Sequence, residues 1–448
     1  MFILYKMKPT NKLIKKLLGI VVLGLLWCNS VFAEKYLDAY TLDKKKIENK
    51  VIKTLSTKHS KLTKYKNWEG KLELYKVTKP NITFFSASTL EERSKKYPKK
   101  FSKNCFTQTL LDLQPTLEIK GHMWKPGGHF LTQVNYTAEY DQLMNQGLVN
   151  WLDAQNREPL ELIKEKLLKW ANEKSFSHLY PDTDRQAGEP WGYIDTFWNL
   201  RATLTNIIIA YATLSELEIF SKNEKKEVQN WLEYLVAASA SQGQDDGSGH
   251  KLPTGIHTEL QKAFIYTLWG VADGNDKYFQ AGIKGFLLGL SVTRKDGSHK
   301  FEVRNVKDAS KRNERGLEKM NQVVGYMVII AEMAKLQGYN LYDIQTKKKV
   351  NLHKMIEFLS KGWSDKTIKL KYLVSKYADK KFAYRLSGNA NSIAWSIPYI
   401  FNNNFNNNSI PIITNWIESL PENKKNYIND FGFGGSQGCY YAASININ

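Results

Sequence analysis

One histidine stands where a helix is about to begin. The turn-forming residues 253–256 lead into an apolar run, which places His257 in the first turn of a predicted helix. An imidazole changes its charge near neutral pH, so it can act as a general acid or a general base. The alternative is a capping or surface histidine with a purely structural role.

A row of cationic residues is the second candidate for chemistry. Residues 311–319 read Lys-Arg-Asn-Glu-Arg-Gly-Leu-Glu-Lys, and helical spacing places Arg312, Arg315 and Lys319 on one face. Guanidinium groups match the geometry of carboxylates, so this face suits a run of substrate carboxylates. The alternative is a solvated basic face whose cations pair with the glutamates of the same helix.

An aromatic-rich segment is the third candidate. Trp191, Tyr193 and Trp198 offer flat faces to sugar rings, and Arg201 follows them with a guanidinium that can hold a carboxylate. Packing into the core is the alternative for Phe197 and Trp198, and we expect at least one of these two side chains to be buried.

These residues belong to a region with a helical pattern. From Tyr140 onward, apolar residues recur at steps of three and four, and turn-forming residues separate the stripes. Successive helices joined by short loops imply antiparallel hairpins packed side by side, so we predict an all-α fold. The predicted helices include Trp198–Leu217, Glu224–Ala240, His257–Ala272, Asp276–Leu290, Asn313–Gln337 and Leu352–Gly362.

The first residues have the pattern of an export signal. Lysines precede an apolar run over 17–27, and Val31-Phe32-Ala33 offers a cleavage site, so residues 1–33 are predicted to be a signal peptide. We expect a periplasmic or secreted protein that begins at Glu34. No later stretch is apolar enough for stable insertion into a membrane; an uncleaved membrane anchor is the alternative.

The charge and the cysteines indicate the kind of partner. The formal net charge of +20 favours polyanions. An exported protein seldom meets nucleic acid, so we expect an acidic glycan or a membrane surface as partner, or simply a soluble basic surface. Cys105 and Cys439 can form a disulfide between the start and the end of the domain, and two buried free thiols are the alternative. No zinc-binding spacing is present, and no metal is expected.

Together these features resemble the alginate lyase (poly-mannuronate lyase) family of helical toroids. His257 opens a helix that residues 273–276 close at the family's spacing, and a family-like Asp-Gly turn follows at Asp296-Gly297. Residues 311–341 then match a long family pattern of basic residues leading into an apolar helix. The resemblance covers roughly residues 140–400.

The resemblance implies a polysaccharide lyase built as an (α/α) toroid over residues 140–448. Residues 34–139 form a less regular N-terminal extension and a candidate lid. The chain departs from the family's pattern at Ile256, where the family has Asn, and at Lys319, where it has Tyr. The stretch between Asp296 and Lys311 is also longer than the family's.

Such a lyase removes the proton at C5 of a uronate and expels the 4-linked oxygen. The enzyme must neutralise the carboxylate, place a base at C5 and protonate the leaving oxygen. By resemblance, we expect Arg312 to neutralise the carboxylate and His257 and Lys319 to move the protons. Because Ile256 cannot donate a hydrogen bond, Arg315, Arg201 or Asn321 is expected to compensate. This scheme requires no cofactor.

Two other functions fit the same sequence. A toroid glycoside hydrolase would need two carboxylates across a cleft, and no recognisable motif pairs the available ones. A lyase relative without catalytic activity would bind an acidic polymer in a basic, aromatic groove and leave it intact. The carboxylates available to a hydrolase are Glu189, Asp195, Asp245, Asp246 and Glu302.

Overall fold

The chain is mainly helical in the parts that the computed structural model describes. Those parts are residues 36–54, 65–84, 86–96, 117–119, 157–181, 194–241, 256–303 and 316–364. Their helices are α1 (Lys44–Glu48), α2 (Val51–Thr54), α3 (Ala87–Lys96), α4 (Glu158–Asn172), α5 (Ile194–Glu216), α6 (Lys222–Ser241), α7 (Ile256–Asp273), α8 (Asp276–Ser291), α9 (Gly316–Leu336) and α10 (Leu352–Ser364).

Helices α5 to α10 alternate between two layers. The inner helices α5, α7 and α9 are buried along almost their whole described length, and α7 packs against both of the others. The outer helices are α6, α8 and α10; α6 and α10 bury one face and expose the other, as expected for amphipathic helices. Gly274 and Asn275 alone connect α7 to α8, so these two helices must run antiparallel.

The three inner helices point in the same direction. Residues 78–82 bind at the carboxyl ends of α7 and α9: the Asn81 N–H donates to the carbonyl of Val271, and the Thr78 N–H donates to the side chain of Gln337. The N–H groups of Ala87 and Ser88 donate to the carboxylate of Glu216, the last residue of α5. One continuous segment thus spans the carboxyl ends of all three inner helices, and their amino ends lie together at the opposite end of the molecule.

The described part of the N-terminal extension packs against the outside of the helical body. Strands β1 (Leu37–Asp38), β2 (Glu118–Ile119) and β3 (His178–Leu179) form a small sheet in the order β1-β3-β2, with β1 antiparallel and β2 parallel to β3. Farther along, Tyr65 Oη donates to the carbonyl of Leu287, so this segment covers the outer face of α8.

Residue identities explain where several helices begin. Ser221 and Glu224 form a capping box at the start of α6: the Ser221 N–H donates to Glu224 Oε2 at 2.7 Å. Asn275 caps α8, because its Oδ1 accepts hydrogen bonds from the N–H groups of Lys277 and Tyr278. These caps satisfy N–H groups that have no partner within their own helix.

The predicted helices agree closely with the observed ones. Each of the six predicted between Trp198 and Gly362 has a counterpart whose bounds differ by at most four residues. The all-α toroid is therefore confirmed. The division at residue 139 and the lid remain predictions, since most of 97–156 lies outside the described residues. Among the described helices, none is long and apolar enough to cross a bilayer.

Candidate active site

His257 lies at the amino end of α7 and is held by a carboxylate. Its Nδ1 lies 2.9 Å from Glu302 Oε1, and its main-chain N–H donates to the same oxygen at 3.2 Å. The His257 side chain is 14% exposed and that of Glu302 is 7% exposed. The carboxylate therefore caps α7 and fixes the imidazole at the edge of the protein interior.

The charge of Glu302 determines which ring nitrogen carries the proton. Burial by itself would raise the pKa of Glu302, but the hydrogen bonds from His257 and the positive charges of His257 and His299 outweigh it and lower this pKa to about 2. Glu302 is consequently a carboxylate at neutral pH and can only accept. His257 Nδ1 must then be the donor, which leaves Nε2 as the nitrogen that gains or loses a proton.

The loop after α8 carries Glu302 to its position. Arg294 lies inside this loop and donates to the carbonyls of His299, Lys300 and Val303, the last at 2.6 Å. Gly297 makes the turn with a φ of 92°, a conformation that favours glycine. These bonds fix the main chain on both sides of Glu302.

Lys319 lies in the first turn of α9, and the packing of α9 against α7 relates it to His257. Phe264 of α7 and Tyr326 of α9 are in ring contact, with centroids 5.8 Å apart. His257 and Lys319 each precede that contact by seven residues, which is about two helical turns on the same face. Because α7 and α9 are parallel, these two side chains belong to neighbouring helix ends whose axes lie roughly 8–10 Å apart.

A buried group of charges lies beneath this end of the toroid. Arg201 of α5 is 4% exposed, and its Nε donates to Ser239 Oγ at 3.3 Å. Burial lowers the pKa of Arg201 and of Lys262, while the nearby carboxylate of Glu259 raises both. The Arg201 guanidinium, which stays protonated in proteins, thus places a buried positive charge under the amino ends of α5 and α7.

The structure describes five of the predicted functional residues. His257, Lys319, Asn321, Trp198 and Arg201 all lie within the first eight residues of an inner helix, so they belong to the same end of the molecule. Asn321 and Arg201 are buried there, and Trp198 is half-buried. Phe197 is a core residue, as expected for at least one of the pair 197 and 198.

The remaining predicted residues lie outside the described residues. They are the catalytic candidate Arg312, the binding candidates Trp191, Tyr193 and Arg315, and the cysteines Cys105 and Cys439. Their roles stay predictions.

Glu302 is the site residue that the sequence did not assign to His257. Its sequence neighbourhood carries no motif, and 45 residues separate it from its partner. The sequence only made it one of several carboxylates available to a hydrolase. The described residues contain no group of three or more His, Cys, Asp or Glu side chains placed to hold a metal ion.

The fold is a helical toroid, and the candidate site lies at the amino ends of its inner helices. Solved structures share this fold. Alginate lyase A1-III from Sphingomonas species A1 aligns with a TM-score of 0.57 and 16% identity, over 83% of this chain and 98% of that one. A tyrosine-to-phenylalanine variant of alginate lyase A1-III, complexed with a tetrasaccharide, aligns with a TM-score of 0.60 and 15% identity over the same shares.

A sequence comparison with known families also finds a match. The sequence model of the alginate lyase family matches residues 151–368, which include every inner and outer helix described above. A search among curated proteins finds no matching sequence. The match over residues 151–368 and the shared fold together indicate a polysaccharide lyase similar to the alginate lyases.

Proposed function

We propose that the chain cleaves an acidic, uronate-containing polysaccharide by β-elimination. A base removes the proton from C5, its electron pair forms the C4–C5 double bond, and the bond from C4 to the linking oxygen breaks. An acid then protonates that oxygen, which leaves as the new chain end. The observation that carries this proposal is the Glu302-held imidazole of His257 at the shared amino end of the inner helices.

His257 has the properties that a proton carrier needs. Its Nδ1–H donates a hydrogen bond to Glu302, so Nε2 is the nitrogen that takes up or releases a proton. The ring sits at the margin of the interior rather than in it, where a polymer can approach. An imidazole in this state can serve as the base at C5 or as the acid at the leaving oxygen.

Lys319 is the second proton carrier in this proposal. Its ammonium group donates to Gln322 Oε1 at 3.1 Å, which directs the side chain along the first turn of α9. Its place beside His257 on a parallel helix suits a second group acting on the same sugar ring. Together the two residues can take the proton from C5 and supply a proton to the leaving oxygen.

Positive charge at the amino ends of α5, α7 and α9 suits an anionic polymer. Three parallel helices direct the positive ends of their dipoles to this end, and Arg201 adds a buried guanidinium beneath it. In the proposed reaction Arg312 neutralises the uronate carboxylate, because a charged carboxylate opposes formation of the carbanion beside it. Trp191, Tyr193, Trp198, Arg315 and Asn321 are proposed to bind neighbouring sugars.

The state of Glu302 argues against the hydrolase alternative. A glycosidase requires a general acid whose pKa is raised so that it carries a proton near neutral pH. The pKa of Glu302 is lowered to about 2, and its oxygen accepts hydrogen bonds from His257. Glu302 is therefore unsuited to protonate a glycosidic oxygen.

We also propose that the protein is exported and works in the periplasm or outside the cell. This rests on the basic and apolar pattern of residues 1–33 and on the nature of the proposed substrate, which occurs outside the cytoplasm. N-terminal sequencing of the protein from a periplasmic fraction is expected to begin at Glu34.

A panel of acidic polysaccharides tests the proposed reaction. Polymers of mannuronate, guluronate, glucuronate and galacturonate are incubated with the mature protein, and the ultraviolet absorbance of the unsaturated uronate is followed. We expect at least one polymer to give this absorbance, and we expect His257→Ala to lose roughly 10²–10⁴-fold in rate while keeping its helical circular dichroism. New reducing ends without the absorbance indicate hydrolysis, and binding without cleavage indicates a non-catalytic relative.

A further inference from the structure

We infer that Glu302 is the positioning residue of the site: its carboxylate fixes the orientation of the His257 ring and holds the Nδ1–H, so that Nε2 is the nitrogen that takes up and releases a proton. This inference deepens the proposed function and rests on it for the reaction that His257 serves. It is based on the two hydrogen bonds from His257 to Glu302 and on the loop that carries Glu302, all within the described residues.

One oxygen of Glu302 binds His257 at two places. Glu302 Oε1 accepts from the ring Nδ1 at 2.9 Å and from the main-chain N–H at 3.2 Å. Rotating the imidazole about either side-chain torsion breaks the ring bond while the main-chain bond stays. The oxygen therefore holds the ring in one orientation relative to the axis of α7.

The carboxylate of Glu302 accepts its hydrogen bonds from His257. Among the described residues, both hydrogen bonds that its carboxylate accepts come from His257. The nearby ring of His299 does not compete for them at neutral pH. Burial lowers the pKa of His299 to about 4, and its Nδ1 accepts from the Phe301 N–H, so this ring is neutral and directed to its own loop.

Hydrogen bonds within the loop after α8 fix the main chain that carries Glu302. The Arg294 guanidinium donates to carbonyls on both sides of Glu302 and to Ser298 Oγ. The Lys300 N–H donates to the carbonyl of Val292, which ties the same loop to the end of α8. A carboxylate on a fixed main chain can set the position of a ring, whereas one on a mobile loop cannot.

The charge of Glu302 has a further effect on how His257 titrates. The His257 ring interacts electrostatically with Glu302 and with His299, and Arg294 interacts with His299. Glu302 is the anion among them and is in direct contact, so it favours the protonated imidazole. Removing this charge should move the limb of the pH–rate profile that reports His257 to lower pH, whether the ring acts as base or as acid.

The test compares Glu302→Gln with Glu357→Gln, a matched exchange on α10 at a glutamate that pairs with Lys354 and Lys361. On the polymer that the wild type cleaves, Glu302→Gln is expected to lose on the order of 10²-fold in kcat with little change in KM. Its His257 limb should shift to lower pH. Glu357→Gln should match the wild type in both respects. Wild-type kcat and an unshifted profile for Glu302→Gln would overturn the inference.

Nitrogen NMR of ¹⁵N-histidine-labelled protein measures the tautomer and the titration midpoint of His257 without any substrate. The spectrum is assigned by the resonances lost in His257→Ala. In the wild type we expect the neutral ring of His257 to carry its proton on Nδ1, and in Glu302→Gln we expect a mixture of tautomers and a lower titration midpoint. An identical tautomer and midpoint in both proteins would refute the positioning role.

The two measurements separate the failure of this inference from the failure of the proposed function. If no polymer is cleaved by the wild type, the proposed function fails, and the NMR comparison still decides whether Glu302 positions His257. If Glu302→Gln does not fold, Glu302→Asp replaces it. Aspartate keeps the charge but withdraws the oxygen by one methylene, so a partial loss of kcat and a changed ring resonance are expected; wild-type values contradict the inference.

Discussion

At the scale of single residues, the candidate site pairs His257, which the sequence predicted as a site residue, with Glu302, which the sequence did not connect to it. His257 was predicted in the first turn of a helix, and it is the second residue of α7. Its partner Glu302 lies 45 positions later, in a loop without helical or strand periodicity. Local patterns predict where a helix begins, but they do not encode which distant side chain will meet its first turn.

Lys319→Tyr tests whether this lysine occupies a proton-transfer position. A phenol at that place can still give and accept a proton, so Lys319→Tyr should retain much more lyase activity than Lys319→Ala. Initial rates from the absorbance of the unsaturated product measure the difference. Lys335→Tyr, at an exposed lysine in the last turn of α9, is the matched control and should behave as the wild type. Equal inactivity of the folded Lys319→Tyr and Lys319→Ala proteins would remove Lys319 from the reaction.

At the scale of elements, glycines allow α7 and α8 to approach closely. A Cβ added at Gly270 would lie 2.8 Å from Phe279 Cα, and one added at Gly282 would lie 2.9 Å from the carbonyl oxygen of Ala263. The main chains of this hairpin therefore pack with almost nothing between them. The periodicity predicted both helices, but glycines within them weaken a helix prediction and gave no indication of this contact.

Gly270→Ala is expected to destabilise the protein, because the new methyl group meets main-chain atoms that can move only if the helices separate. Overpacking of this kind costs about 1–3 kcal/mol in the free energy of unfolding, more than the helix propensity gained from alanine. Denaturant unfolding measures it. Gly289→Ala is the control: its methyl group meets Met327 Sδ at 2.8 Å, a flexible side chain that can yield, so a smaller loss is expected. Equal losses in the two variants would contradict this account.

At the scale of the whole molecule, the two ends of the toroid differ in charge. The amino ends of the inner helices carry His257 and Lys319 above the buried guanidinium of Arg201. At the opposite end, Asp273 closes α7 near Glu48 and Glu233. Burial, together with these carboxylates, raises the pKa of Asp273 to about 7, although a hydrogen bond from Gln229 acts in the other direction.

Asp273 should make stability depend on pH, and the sign follows from its raised pKa. The folded protein keeps the proton up to about pH 7, whereas the unfolded chain releases it near the ordinary value of 3.8. The stabilisation is thus complete below about pH 4 and is lost as pH rises through 7. The free energy of unfolding of Asp273→Asn minus that of the wild type should therefore rise between about pH 4 and pH 7 and stay constant above pH 7. Denaturant unfolding at several pH values measures this difference.

The matched exchange for that experiment is Glu173→Gln, at an exposed glutamate just after α4. It should leave the pH dependence of unfolding as in the wild type. If the stability of Asp273→Asn relative to the wild type is the same at pH 4 and pH 8, the carboxyl of Asp273 does not hold its proton in the folded protein.

The sequence by itself determined the helices, their hairpin order, the toroid and the residues at the starts of the inner helices. These features depend on patterns that recur within one or two helical turns, where neighbouring side chains already share a face. Only the tertiary structure decided that Glu302 binds His257, that Arg201 is buried beside Ser239, and that residues 78–88 span the carboxyl ends of α5, α7 and α9. Such contacts join residues distant in sequence, and they form only when helix packing has fixed which ends of the helices lie together.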